Sequence, residues 1–230
     1  MIAEQGEALS RTKLRNWLSL SDLDVDQALE FGVRNKHLKK EEYNFYKILG
    51  GLTLTEERFY PAIEIGLRAL WSVEGYESNE FYLERTARKD SKIAGPWTRP
   101  DFTIISHKKF PWTIGFGFDV VTFEIKRPDT SNVLAVFEAL SHLTAATRSY
   151  VVFPMNEKDW MASDAQQASR VRDECSKHGI GLILIENVYD DPTPVHLIAA
   201  RRHDISHEKS SNFLGAVLSD GGKNRLSAWK

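Results

Sequence analysis

The chain has 230 residues, enough for one medium-sized domain or two small ones. Its 30 basic and 32 acidic side chains nearly balance, which argues against a surface that attracts nucleic acid everywhere but leaves room for a local basic patch. The single cysteine, Cys175, excludes an intrachain disulfide and a cysteine-rich structural zinc site. Without a signal pattern or an apolar run of about 18 residues, we expect a cytoplasmic protein that does not engage a membrane.

The first fifty residues form a self-contained pattern of two short helices and a hairpin. Ser10 is a candidate N-cap for a helix over 11–18, and apolar residues at helical spacing predict a second helix over 23–33. The stretch 37–49 fits a hairpin, and Gly50-Gly51 fits a hinge. This order resembles a winged helix-turn-helix, so we place a small domain of that kind at residues 1–51.

The next segment, residues 52–205, alternates between helical and strand patterns. A helix is predicted over 58–73, then strands over 81–87, 100–106 and 118–127, a helix over 132–146, a strand over 148–154, a helix over 159–178, and strands over 180–187 and 195–201. A meander followed by crossovers predicts an α/β domain with a mixed sheet and helices on both faces.

Residues 206–230 are mostly polar. Only the short stretch 213–218 has the apolar character needed for packing, so we expect a polar C-terminal tail that is partly mobile.

Three charged residues mark the ends of two neighbouring predicted strands. Because strand side chains alternate between faces, Glu124 and Lys126 lie on the same face, opposite Ile125. Asp101 begins the preceding strand of the same hairpin and can therefore lie opposite Glu124. Charges on an otherwise apolar strand are costly unless they are exposed or used, so the cluster is either a functional site or a salt bridge at a sheet end.

Two carboxylates and a main-chain carbonyl suit a hard divalent cation such as Mg²⁺ or Mn²⁺. The ligands would be Asp101, Glu124 and the carbonyl of Ile125. The cation would polarise a phosphodiester and lower the pKa of a bound water, while Lys126 would orient that water and stabilise developing negative charge.

Pro100-Asp101, followed by a hairpin and by Glu124-Ile125-Lys126 before a helix, resembles the motif of the PD-(D/E)xK superfamily of restriction-endonuclease-like nucleases. The resemblance extends over residues 55–187. It implies a restriction-endonuclease-like core and a metal-dependent nuclease, most readily one that cuts DNA. The winged helix-turn-helix in front also resembles accessory domains of such nucleases.

The same resemblance suggests further site residues. The superfamily often places a glutamate on the helix before the first strand, which makes Glu64 a fourth catalytic candidate and Glu57 a weaker one. Mrr-like members use a polar residue on the helix after the third strand, a part that Glu138 or His142 could fill; core or surface positions are the alternative.

Basic residues beside the strands and in the first domain are candidates for contacts with nucleic acid, with solvated loop positions as the alternative. They are Lys92, Arg99, Lys108, Lys109, Arg127, Arg34, Lys36, Lys39 and Lys40. The would-be recognition helix is acidic, with Asp22, Asp24, Asp26 and Glu30, and acids there repel phosphates.

The sequence therefore predicts a divalent-metal-dependent nuclease that hydrolyses phosphodiester bonds. The alternatives are a non-catalytic nucleic-acid-binding or regulatory protein that keeps the fold, and an interaction scaffold. The first domain would contact DNA, a protein partner or a second copy in a homodimer.

Overall fold

A computed structural model describes residues 9–12, 15, 21–34, 38–40, 43, 45–48, 55–87 and 99–230. The chain divides into two compact units, Met1–Thr55 and Glu56–Lys230. Among the helices in the described ranges, none has both the length and the apolarity that crossing a bilayer requires.

The first unit contains a three-stranded antiparallel sheet and a helix. The strands are β1 (Leu9–Ser10), β2 (Leu38–Lys40) and β3 (Phe45–Ile48), in the order β1-β3-β2, and the helix is α1 (Asp22–Arg34). The predicted second helix and hairpin are confirmed, whereas the helix expected over 11–18 falls mostly outside the described residues. A small core holds this unit together, formed by Val25, Leu29, Tyr46 and Leu38.

The second unit is built on a six-stranded mixed sheet with the strands in sequence order. These strands are β4 (Phe81–Arg85), β5 (Phe102–Lys108), β6 (Gly117–Ile125), β7 (Arg148–Phe153), β8 (Gly181–Glu186) and β9 (Thr193–Ile198). β6, β7 and β8 are parallel to one another, and the remaining neighbours are antiparallel. The predicted α/β class with a mixed sheet is confirmed.

Helices cover both faces of this sheet. They are α2 (Tyr60–Val73), α3 (Val133–His142), α4 (Glu157–Ser163), α5 (Ala165–His178), α6 (His207–Val217) and α7 (Asp220–Trp229). Helix α2 packs Ile63 and Leu67 on the face that carries Phe123 and Ile125. The other face packs against α3 and α5 near Val151, and against α6.

The helix expected over 159–178 is two helices. The chain is extended at Asp164, whose side chain accepts a hydrogen bond from the backbone N–H of Gln167 at 2.9 Å and so caps α5. An aspartate competes well for N–H groups at a helix start, so the break costs little and the one-helix prediction is wrong.

Residues 206–230, expected to be a polar and partly mobile tail, form α6 and α7, and the expectation that the stretch 213–218 packs is confirmed. Phe213, Leu214 and Val217 of α6 are buried against Ile105 and Val120 of the sheet. Three buried apolar side chains, each worth about 1.5–3 kcal/mol, are enough to dock a helix that is polar on its outer side. The buried carboxylate of Glu84 accepts the backbone N–H of Ser219 at 3.0 Å and 3.1 Å, at the start of α7.

Candidate active site

Asp101 and Glu124 meet at one end of the β5–β6 hairpin. Phe102 is paired with Phe123 in the antiparallel register, and the backbone N–H of Asp101 donates to the carbonyl of Phe123 at 3.0 Å. The next residues outward, Asp101 and Glu124, therefore lie opposite each other, as the hairpin pairing predicted. Both side chains are buried.

Both carboxylate oxygens of Asp101 accept hydrogen bonds from the protein. Oδ1 accepts from the Tyr60 hydroxyl at the start of α2, and Oδ2 accepts from the backbone N–H of Ile125 at 2.8 Å. The guanidinium of Arg85 lies 4.4 Å from the centre of the Tyr60 ring. These contacts fix the orientation of Asp101 toward the end of β6.

Lys126 is the centre of the cluster. Its Nζ lies 2.6 Å from Glu124 Oε1, 2.6 Å from Glu138 Oε2 and 3.9 Å from Glu56 Oε1. Glu138 comes from α3, and Glu56 from the 3-10 turn Glu56–Phe59 just before α2. Three elements that are distant in sequence thus place carboxylates around one ammonium group.

His142 supports the cluster from the last turn of α3. Its ring is buried, and its Nε2 lies 3.2 Å from Glu124 Oε2. Burial lowers the pKa of His142 to about 4, so the ring is neutral at pH 7. The contact is then a hydrogen bond rather than an ion pair, and it holds one oxygen of Glu124.

The buried carboxylates are electrostatically strained. Burial raises the pKa of Asp101, and burial together with the charge of Asp101 raises the pKa of Glu124 well above its ordinary value. Burial alone would lower the pKa of Lys126, but Glu124 and Glu138 more than offset it, so the net shift is upward and Lys126 stays charged. Charges of this kind, held away from water, are typical of functional sites.

The donor set fits a hard divalent cation in its chemistry. Carboxylate oxygens of Asp101, Glu124 and Glu138 and the carbonyl of Ile125 are ligands that Mg²⁺ and Mn²⁺ accept. Within the described residues, however, no three His, Cys, Asp or Glu side chains converge as a metal site would require. The ammonium of Lys126 occupies the place between Glu124 and Glu138.

The structure does not bring the predicted Glu64 into contact with this cluster. Glu64 lies one turn after Tyr60, and its carboxylate pairs with Arg68 at 2.8 Å along the helix surface. Glu57, the weaker candidate, pairs with Arg85 at 3.0 Å. The glutamate from this part of the chain that reaches Lys126 is Glu56, because the 3-10 turn aims it back toward the end of β6.

Of the basic residues predicted near the site, Lys108 and Lys109 lie elsewhere. They follow the far end of β5, about 20 Å from Asp101 along a seven-residue strand. Asp101 begins β5 and Glu124 ends β6, so the loop joining the strands is necessarily at the other end of the hairpin. Lys108 donates to the carbonyl of Gly75 and lies over the ring of Tyr76. Both lysines are therefore remote from Asp101, and their contact with nucleic acid stays a prediction.

The remaining basic candidates give a mixed result. Arg127 pairs with Asp129 at 2.8 Å, and Arg99 is half-buried just before Pro100. Lys40 is exposed in the first unit. Lys36, Lys92 and the side chains of Arg34 and Lys39 lie outside the described residues.

Two of the four acids of α1, Asp22 and Asp26, are paired with arginines within the first unit. Arg11 pairs with Asp22 at 2.9 Å and with Asp26 at 2.5 Å, and Arg15 lies 3.3 Å from Asp22. The expectation that these acids repel phosphates therefore weakens, although Arg11 and Arg15 are then engaged with carboxylates rather than with a ligand.

Sequence reasoning missed Tyr60 and Glu56. A tyrosine beside Pro61 at a helix start carries no periodic signal of function, and Glu56 reads as an ordinary acid in a first turn. The resemblance to Mrr-like members named Glu138 or His142 as a candidate, and the structure places both side chains against the cluster.

Comparisons with known proteins add a distant likeness in fold. No family model matches the sequence, and no curated protein matches it either. A solved structure of a protein of unknown function from Silicibacter pomeroyi is similar over 72% of this chain and 87% of its own, with 12% identity and a TM-score of 0.38. A likeness at this level carries no argument about function.

Proposed function

We propose that the chain is a divalent-metal-dependent nuclease that hydrolyses phosphodiester bonds, with DNA as the favoured substrate. The observation that carries the proposal is the juxtaposition of buried Asp101 and Glu124 at paired strand ends, with Lys126 beside them. Burial of like charges costs free energy, and a protein keeps such a cost where the groups act together.

Each residue has a defined part in this proposal. Asp101, Glu124 and the carbonyl of Ile125 would hold Mg²⁺ or Mn²⁺, which when bound polarises the phosphodiester and lowers the pKa of a water. Lys126 stabilises negative charge that develops on the phosphate oxygens. His142 holds one oxygen of Glu124, and Tyr60 with the N–H of Ile125 holds Asp101.

The strand and helix order supports a restriction-endonuclease-like core. Helix α2, the meander β4-β5-β6, helix α3 and the parallel strand β7 follow one another as that fold requires. The three-stranded sheet and α1 of the first unit similarly support a winged-helix module that engages substrate or a partner.

The test is a cleavage panel with single-stranded and duplex DNA and RNA, in Mg²⁺, Mn²⁺ or chelator. We expect metal-dependent cleavage by the wild type and a loss of about 100-fold or more in Lys126→Ala. Lys177→Ala is the matched control, since it removes the same charge from the exposed end of α5, where Lys177 pairs with Glu174. Full cleavage by Lys126→Ala, or none by the wild type, contradicts the proposal.

A non-catalytic binding protein is the second candidate. The observation that favours it is that both oxygens of Asp101 are already satisfied, by Tyr60 and by the N–H of Ile125, while Lys126 fills the space among the other carboxylates. Calorimetric titration with Mn²⁺ separates the two. Binding that Glu124→Gln abolishes favours the nuclease, and nucleic-acid binding without metal uptake favours the binding protein.

A further inference from the structure

The hairpin loop between β5 and β6 presents a group of large apolar side chains to solvent. Trp112 and Ile114 are fully exposed, and Phe110 and Phe116 are half-exposed. We call these four residues the knob. An apolar protrusion of this size is unusual on a soluble surface and marks a contact with another body.

The base of the knob is fixed to the rest of the second unit. The ring of Phe116 packs against buried His107 with centroids 4.7 Å apart, and His107 stacks on Trp229 of α7 at 5.6 Å. Trp229 in turn donates its indole N–H to the carbonyl of Asn79 at 3.0 Å. The base of the knob at Phe116 is therefore fixed relative to α7, which reduces the entropy lost there on binding.

An apolar crevice lies beside the knob. It has a volume of about 460 Å³ and opens between α6 and α7. Phe118, Leu214 and Leu226 give it an apolar floor, and polar residues such as Lys223 and Lys230 form its rim. Phe118 follows Phe116 by two residues, so β6 leads from the knob directly into the crevice wall. The volume lies within the range of pockets that accept bulky apolar groups.

We propose that the knob of one chain fills the crevice of a second copy of the same chain, in a two-fold symmetric dimer. Knob and crevice lie side by side on one surface, so a two-fold rotation places each knob against the other copy's crevice. Trp112 and Ile114 do not fill the crevice of their own chain, since both are fully exposed. The dimer joins the ends of the hairpins remote from Asp101, so both candidate sites stay open.

The contact area is sufficient for a stable dimer. An aromatic side chain buries about 150–250 Å². Trp112 and Ile114 are fully exposed, whereas Phe110 and Phe116 are about half-exposed and contribute about half as much. Two such knobs and the opposing crevice walls bury roughly 1,200 Å², the area at which specific interfaces begin. Trp is also among the residue types that carry most interface energy.

The experiment measures mass by sedimentation velocity over a range of concentrations of the full chain. We expect a concentration-dependent dimer for the wild type and a dissociation constant at least about 100-fold weaker for the double variant Trp112→Ser/Ile114→Ser. The control is Val73→Ser, which removes an exposed apolar side chain at the end of α2.

A second variant tests the crevice separately. A Cβ on Gly215, which lines the crevice, would meet nothing within 4 Å, so we expect Gly215→Trp to place its side chain in the crevice. We expect Gly215→Trp to weaken the dimer as much as the knob variant does. Mixing the two variants should restore heterodimers, because the intact knob of one still fits the open crevice of the other.

Other occupants give different results, and each overturns the proposal. If the wild type is a monomer at every concentration, or if Gly215→Trp leaves the dimer unchanged, the crevice is not the docking site of the knob. A knob variant that is monomeric like the wild type but thermally less stable shows that the knob packs against another part of its own chain. Trp112-dependent co-sedimentation of a monomer with phosphatidylcholine vesicles assigns the knob to a lipid surface.

Discussion

The two ends of the β5–β6 hairpin differ in opposite ways from an ordinary protein surface. At one end, Asp101 and Glu124 are charged yet buried, and at the other, Trp112 and Ile114 are apolar yet exposed. The strands between them are conventional, with Ile104, Ile105, Val120 and Val121 fully buried. The same rigid pair of strands thus supports two departures from the rule that apolar groups lie inside and charges outside.

The two ends of the hairpin differ in what offsets the free-energy cost of these unusual positions. The buried charges are compensated within the chain, by Lys126, Tyr60, His142 and the backbone of Ile125. The exposed apolar side chains have no such compensation among the described residues that pack near them, apart from the base at Phe116. One end therefore points to chemistry performed on a ligand, and the other to a surface that a second molecule covers.

We expect Asp101→Asn to have the largest effect on the rate of cleavage. The amide keeps the size of the side chain but loses the negative charge that a divalent cation requires, so cleavage should fall by about 100-fold to 1,000-fold. Initial rates at saturating Mg²⁺ measure it. Trp112→Ser, at the other end of the same hairpin, should leave the rate per active site within about twofold. Equal losses in the two variants would erase the contrast between the two ends.

Two matched carboxyl-to-amide substitutions test which glutamate near the start of α2 belongs to the candidate site. Glu56→Gln should lower cleavage by about tenfold, or roughly 1.4 kcal/mol, because Glu56 faces Lys126 at 3.9 Å. Glu64→Gln should change it by less than about twofold, since Glu64 pairs with Arg68 on the helix surface. The reverse order would restore the assignment that the sequence favoured.

Glu124→Gln should stabilise the metal-free protein at neutral pH. Burial in the folded state raises the pKa of Glu124 above its ordinary value of 4.5. At a pH between the ordinary and the raised pKa, the folded state therefore binds more protons than the unfolded state does. The free energy of unfolding therefore falls as pH rises through that window. Glutamine removes this fall, and we expect a gain of about 1 kcal/mol at pH 8 that disappears below the ordinary carboxyl pKa.

Urea unfolding in chelator at several pH values measures this gain. Glu64→Gln provides the control for replacing a carboxylate by an amide on the same domain. A destabilised Glu124→Gln at pH 8 would show that the ion pair with Lys126 outweighs the cost of burying the charge.

The smallest expected effect is on the stability of the knob variant. Because Trp112 and Ile114 are fully exposed, Trp112→Ser/Ile114→Ser should change the monomer's free energy of unfolding by no more than about 0.5 kcal/mol. Ile105→Ala, in the buried middle of the same strand, should cost about 2–5 kcal/mol. Thermal unfolding at low concentration compares the two.

Strand periodicity predicted the parts of the site that lie on β5 and β6. Alternation alone placed Glu124 and Lys126 on one face, and the hairpin placed Asp101 opposite Glu124, which the register confirms. These positions depend only on how side chains alternate along two neighbouring strands, and the sequence shows that alternation directly.

The contributions from other elements could not be predicted in the same way. The position of Glu56 depends on a 3-10 turn, and that of Tyr60 on how α2 docks on the sheet. The helices α6 and α7 were missed because sparse apolar residues bury well only on a surface that the sheet supplies.

The hydrogen bonds from Ser219 to Glu84 connect the start of α7 to β4, which is far earlier in the sequence. β4 is an edge strand, and its buried carboxylate is satisfied in part by an amide 135 residues later. The ribosome synthesises this amide long after β4, so the native surroundings of Glu84 are completed late. A chain shortened before Ser219 lacks this donor, and we expect it to be less stable and more sensitive to proteases.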